Sequence, residues 1–254
     1  PVPLSTPQSP QPAKMLKIGK VAKVLKVLKF GQLIQSFGEN SDFADTLEAE
    51  LRPHAPEADG VGIDYYRLAS RVFLGAEIDL EETYRWGQEE LARIINEAYE
   101  RAKVTERRKG KGVILIPAFA IGRAQAVMND LRILIETKKI PNLKVFLDGR
   151  MSISATHVHR QYQGDMDEVT QAVFDEGGDP FKAPKFAQCK VWKQSEALMA
   201  PQSEPVIIVG SSGMANGGRI VGHLQSRLTA SNSTVVFIGY QGTGTLGHSL
   251  VRVA

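Results

Sequence analysis

The sequence predicts an α/β protein built on a parallel sheet with helices on both faces, and three observations carry that expectation. The runs Val113-Ile114-Leu115-Ile116, Val145-Phe146-Leu147, Val206-Ile207-Ile208-Val209 and Val235-Val236-Phe237-Ile238 are apolar throughout instead of alternating, as strands buried on both faces are. Segments of helical period separate them. The 254-residue chain is 43% hydrophobic and 23% charged, a composition that can bury a core.

Taken in order, residues 1–13 hold Pro1, Pro3, Pro7, Pro10 and Pro12 among Ser, Thr and Gln, too little apolar surface to offset ordering, and predict a flexible arm. Residues 14–78 form a basic, then mainly helical or irregular segment. Lys14, Lys17, Lys20, Lys23, Lys26 and Lys29 recur every third residue, so on a helix they circle the cylinder instead of marking one face. Such a tract suits RNA or an anionic surface, or a solvated helix whose lysine stems cover apolar neighbours. The third segment, 79–254, carries the α/β pattern. Leu91, Ile94, Ile95 and Ala98 share one helical face, and Ala124, Val127, Met128, Leu131 and Ile135 another. A helix is expected from about Ser154 to Tyr162 and another through Ile220, Val221, Leu224 and Leu228, with an irregular stretch around Gly177, Gly178, Pro180 and Pro184.

Charge and cysteine narrow the setting. A net charge of +3 gives a mild bias toward anionic partners. The single cysteine, Cys189, excludes an intrachain disulfide and any thiolate-rich metal site, and is expected to serve packing in a reducing, cytoplasmic compartment. No apolar run is long enough to span a bilayer, so no transmembrane segment is expected.

In a sheet of right-handed crossovers the loops after the strands gather along one edge, where ligands bind. These loops are Phe119–Arg123, Asp148–Ser152, Gly210–Arg219 and Gly239–Gly247. Glycines recur in them, two are also rich in hydroxyls, and Arg123, Arg150 and Arg219 bring forked cations to the same edge. Backbone amides that approach closely, helix N-termini after Gly122 and Gly218, and guanidinium groups suit phosphate. Neither the spacing of a triphosphate loop nor a dinucleotide fingerprint directly after a strand is present.

Several stretches resemble one family. Gly112 to Gln125, GVILIPAFAIGRAQ, resembles the strand and turn of the β-CASP domain of metallo-β-lactamase-fold nucleases, which include ribonuclease J and the 3′-end-processing endonuclease. Leu147 to Met151, LDGRM, is similar to that family's next strand end, and Asp179-Pro180-Phe181 to a later loop. Ser212 to Ile220, SGMANGGRI, and Phe237 to Gly247, FIGYQGTGTLG, resemble its paired glycine loops, so the likeness covers roughly residues 80–254.

The resemblance implies single-stranded RNA, less often DNA, in a groove between this domain and a metallo-β-lactamase domain, with two zinc ions activating water for phosphodiester hydrolysis. With the loop chemistry it assigns phosphate binding to Arg123, Ser211, Ser212, Gly213, Asn216, Gly217, Gly218, Arg219, Tyr240, Gln241, Gly244 and Thr245, Tyr240 being a candidate for base stacking. Glu89, with Glu90 the alternative, matches the acidic residue that in the family orients a late histidine, and is the candidate catalytic residue. The family's His-x-His-x-Asp-His motif is absent, and His54, His157, His159, His223 and His248 do not replace it. His157 and His159 fall in a predicted helix, where i and i+2 diverge and cannot chelate one ion. No metal site is therefore expected in this chain, and the family's later histidine motifs would lie beyond Ala254.

The first expectation is thus the RNA-gripping β-CASP portion of a zinc-dependent ribonuclease, inactive alone. The second is a non-catalytic assembly subunit derived from such a nuclease, pairing with a paralogue, with self-association into a homo-oligomer left open. A third, from another class, is a phosphate-ester enzyme using Asp148.

Overall fold

Five strands, β1 (Val113–Pro117), β2 (Lys144–Asp148), β3 (Phe186–Cys189), β4 (Val206–Gly210) and β5 (Thr234–Val235), run parallel in one sheet of order β3-β2-β4-β1-β5. The computed structural model describes residues 79–107 and 110–253. The Pro-rich arm over 1–13, the Lys14–Lys29 tract, the remainder of the segment to 78, and His54 lie outside the described residues. The sheet lies within one compact unit, Gly87–Ala254.

Seven α-helices accompany the strands among the described residues: α1 (Leu80–Ala102), α2 (Arg123–Glu136), α3 (Arg150–Gln161), α4 (Glu168–Asp175), α5 (Trp192–Met199), α6 (Arg219–Arg227) and α7 (Leu246–Val253). At the start of α1, the Asp79 carboxylate accepts from Glu82 N at 2.9 Å, satisfying a helix-terminal donor.

The continuous apolar strands are explained by two cores. Along β1, Ile114 and Ile116 enter one core while Val113 and Leu115 enter the other. In β4, Ile207 and Val209 share the first, Val206 and Ile208 the second. Since successive side chains point to opposite faces, every position must be apolar when both faces are covered. The first core takes Ala92, Ile95 and Ala98 from α1 and Val127, Met128, Leu131 and Leu134 from α2. The second takes Leu198 from α5 and Ile220 and Leu224 from α6.

The expected α/β class and parallel sheet are present, with differences of detail. β3 occupies ground where no strand was expected; it is an edge strand of four residues without β-branching, three half-buried and Cys189 buried, too short for a periodic signal. The expected strand over Val235–Ile238 shortens to Thr234–Val235, although Val236 N still donates to Leu115 O at 2.8 Å. α3 begins at Arg150, not near Ser154, because one residue, Gly149, turns the chain from strand into helix. No helix among the described residues is long and apolar enough to cross a membrane.

Ile208 is fully buried at the centre of the sheet. Ile208→Ala removes methylene contacts on the α5/α6 side and leaves a cavity, so it should lower unfolding free energy by about 2–5 kcal/mol with an unchanged m-value in urea denaturation.

Candidate nucleic-acid interface

Because every strand is parallel, each strand-to-helix turn leaves the same edge of the sheet. The register makes the strand ends flush: Pro117 and Asp148 both stand opposite Gly210, and Asp148 opposite Cys189. The expected convergence of the loops is therefore met in space, and they are fastened to one another. Ser152 and Ser211 share a hydroxyl contact at 3.1 Å, and Arg123 donates to Ile238 O at 3.4 Å. Asn216 Oδ1 accepts from Leu246 N at 2.8 Å, and Gln241 Nε2 donates to Gly213 O at 3.1 Å.

At the centre lies a polar group built around Asp148, the residue of the phosphate-ester expectation. Asp148, fully buried at the end of β2, accepts from Arg219 through Oδ1 at 2.8 Å. Its Oδ2 accepts from Ser195 Oγ at 2.5 Å and His223 Nε2 at 2.6 Å. A buried carboxylate is tolerable when opposed by a cation and hydrogen bonds, as here. Burial pushes the Asp148 pKa upward, but the bonds from His223, Arg219 and Ser195 together outweigh it and hold the carboxyl below its usual range. Although Ser, His and Asp are brought together, the arrangement is not a nucleophilic relay. Ser195 and His223 both face one carboxylate oxygen, their mutual distance is 3.4 Å, and all three are buried. The Asp148 phosphate-ester reading is corrected on the same ground: both oxygens are engaged within the protein and closed to solvent.

Arg219 is likewise committed. Besides Asp148, its Nη1 donates to Cys189 O at 2.6 Å and its Nη2 to Lys190 O at 3.3 Å, so it pins the β3 end to the start of α6. Gln241, expected to border a groove, is buried and ties Gly213 to Gly239. Gly218 has φ +73°, and a Cβ there would stand 2.7 Å from Ser211 O, so only glycine permits the turn that brings Arg219 inward. Ser212 O accepts from Ala215 N at 3.1 Å, and Ser211 O from Ile220 N. Thr245 Oγ1 accepts from His248 N at 3.1 Å near the start of α7. Gly213 lies against the Phe119 ring, while no atom stands where Gly217 or Gly244 would carry a Cβ.

Several rim residues face outward. Asn216, Gly218, Gly244 and Tyr240 are exposed, as are Phe119, Arg150 and Met151 from neighbouring turns. The guanidinium of half-buried Arg123 makes one long hydrogen bond, to Ile238 O; burial pushes its pKa down to about 10, partly offset by Asp130, so it stays charged at neutral pH. Glu89 is not brought into this cluster by any contact: it is an exposed residue of α1.

The zinc ions that the resemblance implies do not fit these residues. Among the described residues no three His, Cys, Asp or Glu side chains gather. His157 is exposed, whereas His159 is buried with Nδ1 2.7 Å from Ala155 O and its ring edge-on to Phe181, and His223 is held on Asp148. Asp179 likewise serves structure, accepting from Phe181 N and Arg160 Nε.

The Beta-Casp domain family matches residues 124–250. Over 142 residues, 56% of this chain and 22% of the relative, the sequence is 32% identical to transcription termination factor FttA of Methanosarcina mazei. It is 31% identical to FttA of Methanocaldococcus jannaschii over 180 residues, 69% of this chain and 26% of that protein. It is 31% identical to a ribonuclease of Thermus thermophilus over 140 residues, 55% of this chain and 32% of that protein. The matched stretches thus span 22% to 32% of the length of these relatives.

The depressed Asp148 pKa fixes a sign. Its stabilisation is complete above the unfolded-state carboxyl value, about 3.9, and is lost as pH falls through the lower folded value. Asp148→Asn should remove this part of the acid dependence and cost about 3–5 kcal/mol at neutral pH, because Arg219 keeps its charge without its partner. Urea unfolding of both proteins across the acid range measures the difference, and equal pH slopes would contradict the assignment.

Proposed function

Because the chain belongs to the Beta-Casp domain family, we propose that it is the part of a ribonuclease of the metallo-β-lactamase fold that grips single-stranded RNA along the carboxyl edge of its sheet. The observation that carries this reading is the convergence of the strand-end turns on one rim, which presents half-buried Arg123, exposed glycine backbone at Gly218 and Gly244, and an exposed Tyr240. Guanidinium and backbone N–H groups suit phosphate oxygens, and an exposed phenol ring suits a base.

The roles divide accordingly. Arg123, Ser212, Asn216, Gly217, Gly218, Gly244 and Thr245 line the strand path, and Tyr240 stacks on a base. Ser211, Gly213, Arg219 and Gln241 act from beneath, holding the turns in place. Glu89 is assigned an orienting role toward a histidine supplied from outside the described residues. The two zinc ions and the hydrolytic step belong to a metallo-β-lactamase domain, since the described residues supply no ligand set. A ribonuclease among the similar proteins supports RNA as the ligand, and the termination factors are consistent with it because transcription makes RNA.

Binding of labelled single-stranded RNA across a salt series tests this. Affinity should fall steeply with salt, and Arg123→Ala should weaken binding evenly across sequences while reducing the slope of log K against log salt by about 0.7 to 1. Arg219→Ala should instead lower folding stability by about 3–5 kcal/mol, as expected when one partner of a buried ion pair is removed. Salt-independent binding, or an unaltered Arg123→Ala variant, would contradict the phosphate-path assignment.

A further inference from the structure

We infer that the rim carries a second base-stacking position at Trp192, just beyond β3, so that the path for single-stranded nucleic acid runs on to the edge strand; this rests on the RNA-binding reading above. Helix α5 opens in an unusual way. Its N-cap is Val191 and its first residue Trp192, where Ser, Thr, Asp or Asn would satisfy the terminal amides, and no side chain caps from the N-cap position. The local solution is Gln194, whose Oε1 accepts from Lys190 N at 2.8 Å and Val191 N at 3.1 Å. Val191 and Trp192 are themselves 56% and 55% exposed. A large aromatic side chain half in water adds little to folding, and here it stands at the edge where ligands of parallel sheets bind. A sequence that departs from local preference without a folding gain marks a functional position.

The indole is also seated. A Cβ built on Gly222 of α6 would approach Met199 Cε to 2.6 Å and Trp192 Cη2 to 3.9 Å. Glycine within a helix is unfavourable, but at this position it lets Met199 and the edge of the indole lie close against α6. Lys190 O accepts from Arg219, which ties the segment to the buried Asp148 carboxylate. Lys190 and Lys193, both exposed, lie two residues before and one after Trp192 in the chain and add positive charge that complements a phosphate chain.

Strand order sets the spacing. Trp192 follows β3, Phe119 follows β1 and Tyr240 follows β5, and the last two are 49% and 56% exposed. Strands lie about 4.8 Å apart, so the edge from β3 to β5 measures about 19 Å, with exposed Arg150 and Asn216 at the intervening ends of β2 and β4. Aromatic faces interleaved with cations are the arrangement that holds unpaired bases. In a duplex those faces are occupied by neighbouring bases, so the rim selects single strands.

The chain has two tryptophans, and Trp86→Phe leaves Trp192 as the only indole. Titrating that variant with oligoadenylate, oligouridylate and a duplex RNA, with anisotropy of labelled RNA as an independent measure, should show saturable quenching by the single strands alone. In the full chain, Trp192→Ala should weaken single-strand binding by about 5- to 150-fold with the salt slope unchanged, and Trp192→Phe should recover much of it. Lys190→Ala with Lys193→Ala should reduce the slope by about 1.4. Salt-dependent binding with a silent Trp192 and an unaltered Trp192→Ala variant would overturn this position while leaving the RNA reading intact. Absence of any RNA binding would overturn both, and a concentration-dependent change in Trp192 emission without RNA would assign the surface to a second copy instead.

Discussion

The buried carboxylate of Asp148 is the constraint on which the ligand edge depends. It stands at the end of a central strand and accepts hydrogen bonds from α5 through Ser195 and from α6 through His223 and Arg219. Arg219 in turn reaches the backbone where β3 ends. The β2–β3 pair of the sheet and the two helices α5 and α6 are thereby set in one arrangement. The cost of desolvating the carboxylate is offset only when all its donors are in place, so the group favours one geometry over near alternatives.

This changes the meaning of the glycine-rich turns. Read singly, glycines and hydroxyls suggest amides waiting for an anion. In the structure many of those groups are spent on each other: Gln241 on Gly213, Asn216 on the start of α7, Ser211 on Ser152. The rim is firm because of this, and a firm rim loses less entropy on binding a flexible strand than a loose one. Gly218 shows the same economy, its left-handed φ being what lets Arg219 point into the protein.

Much of the fold was legible in the sequence because burial on both faces removes alternation from a strand, and β1 and β4 show it plainly. β3 was illegible because Phe186–Cys189 is short, lies at a sheet edge and buries only Cys189 fully. α5 and α7, of eight residues each, hold too few turns for a period to emerge. The convergence of the turns followed from parallel topology, but the division between outward and inward residues did not. A charged residue closing an apolar strand, as Asp148 closes Val145-Phe146-Leu147, was the signal for a buried ion pair, and its partners Ser195 and His223 are too distant in sequence for spacing to reveal. Trp192 lies in a segment without a periodic pattern of its own, so its ring gained meaning only once β3 placed it on the rim.

The central claim is that nucleic acid lies along the carboxyl edge of the sheet. Photocrosslinking of thiouridine-substituted single-stranded RNA to the full chain, followed by mass spectrometry of the joined peptides, tests it most directly. Adducts should map to the turns holding Phe119, Met151, Trp192 and Tyr240. Adducts confined to the opposite edge, around Lys111, Asn142 and Lys185, would contradict it.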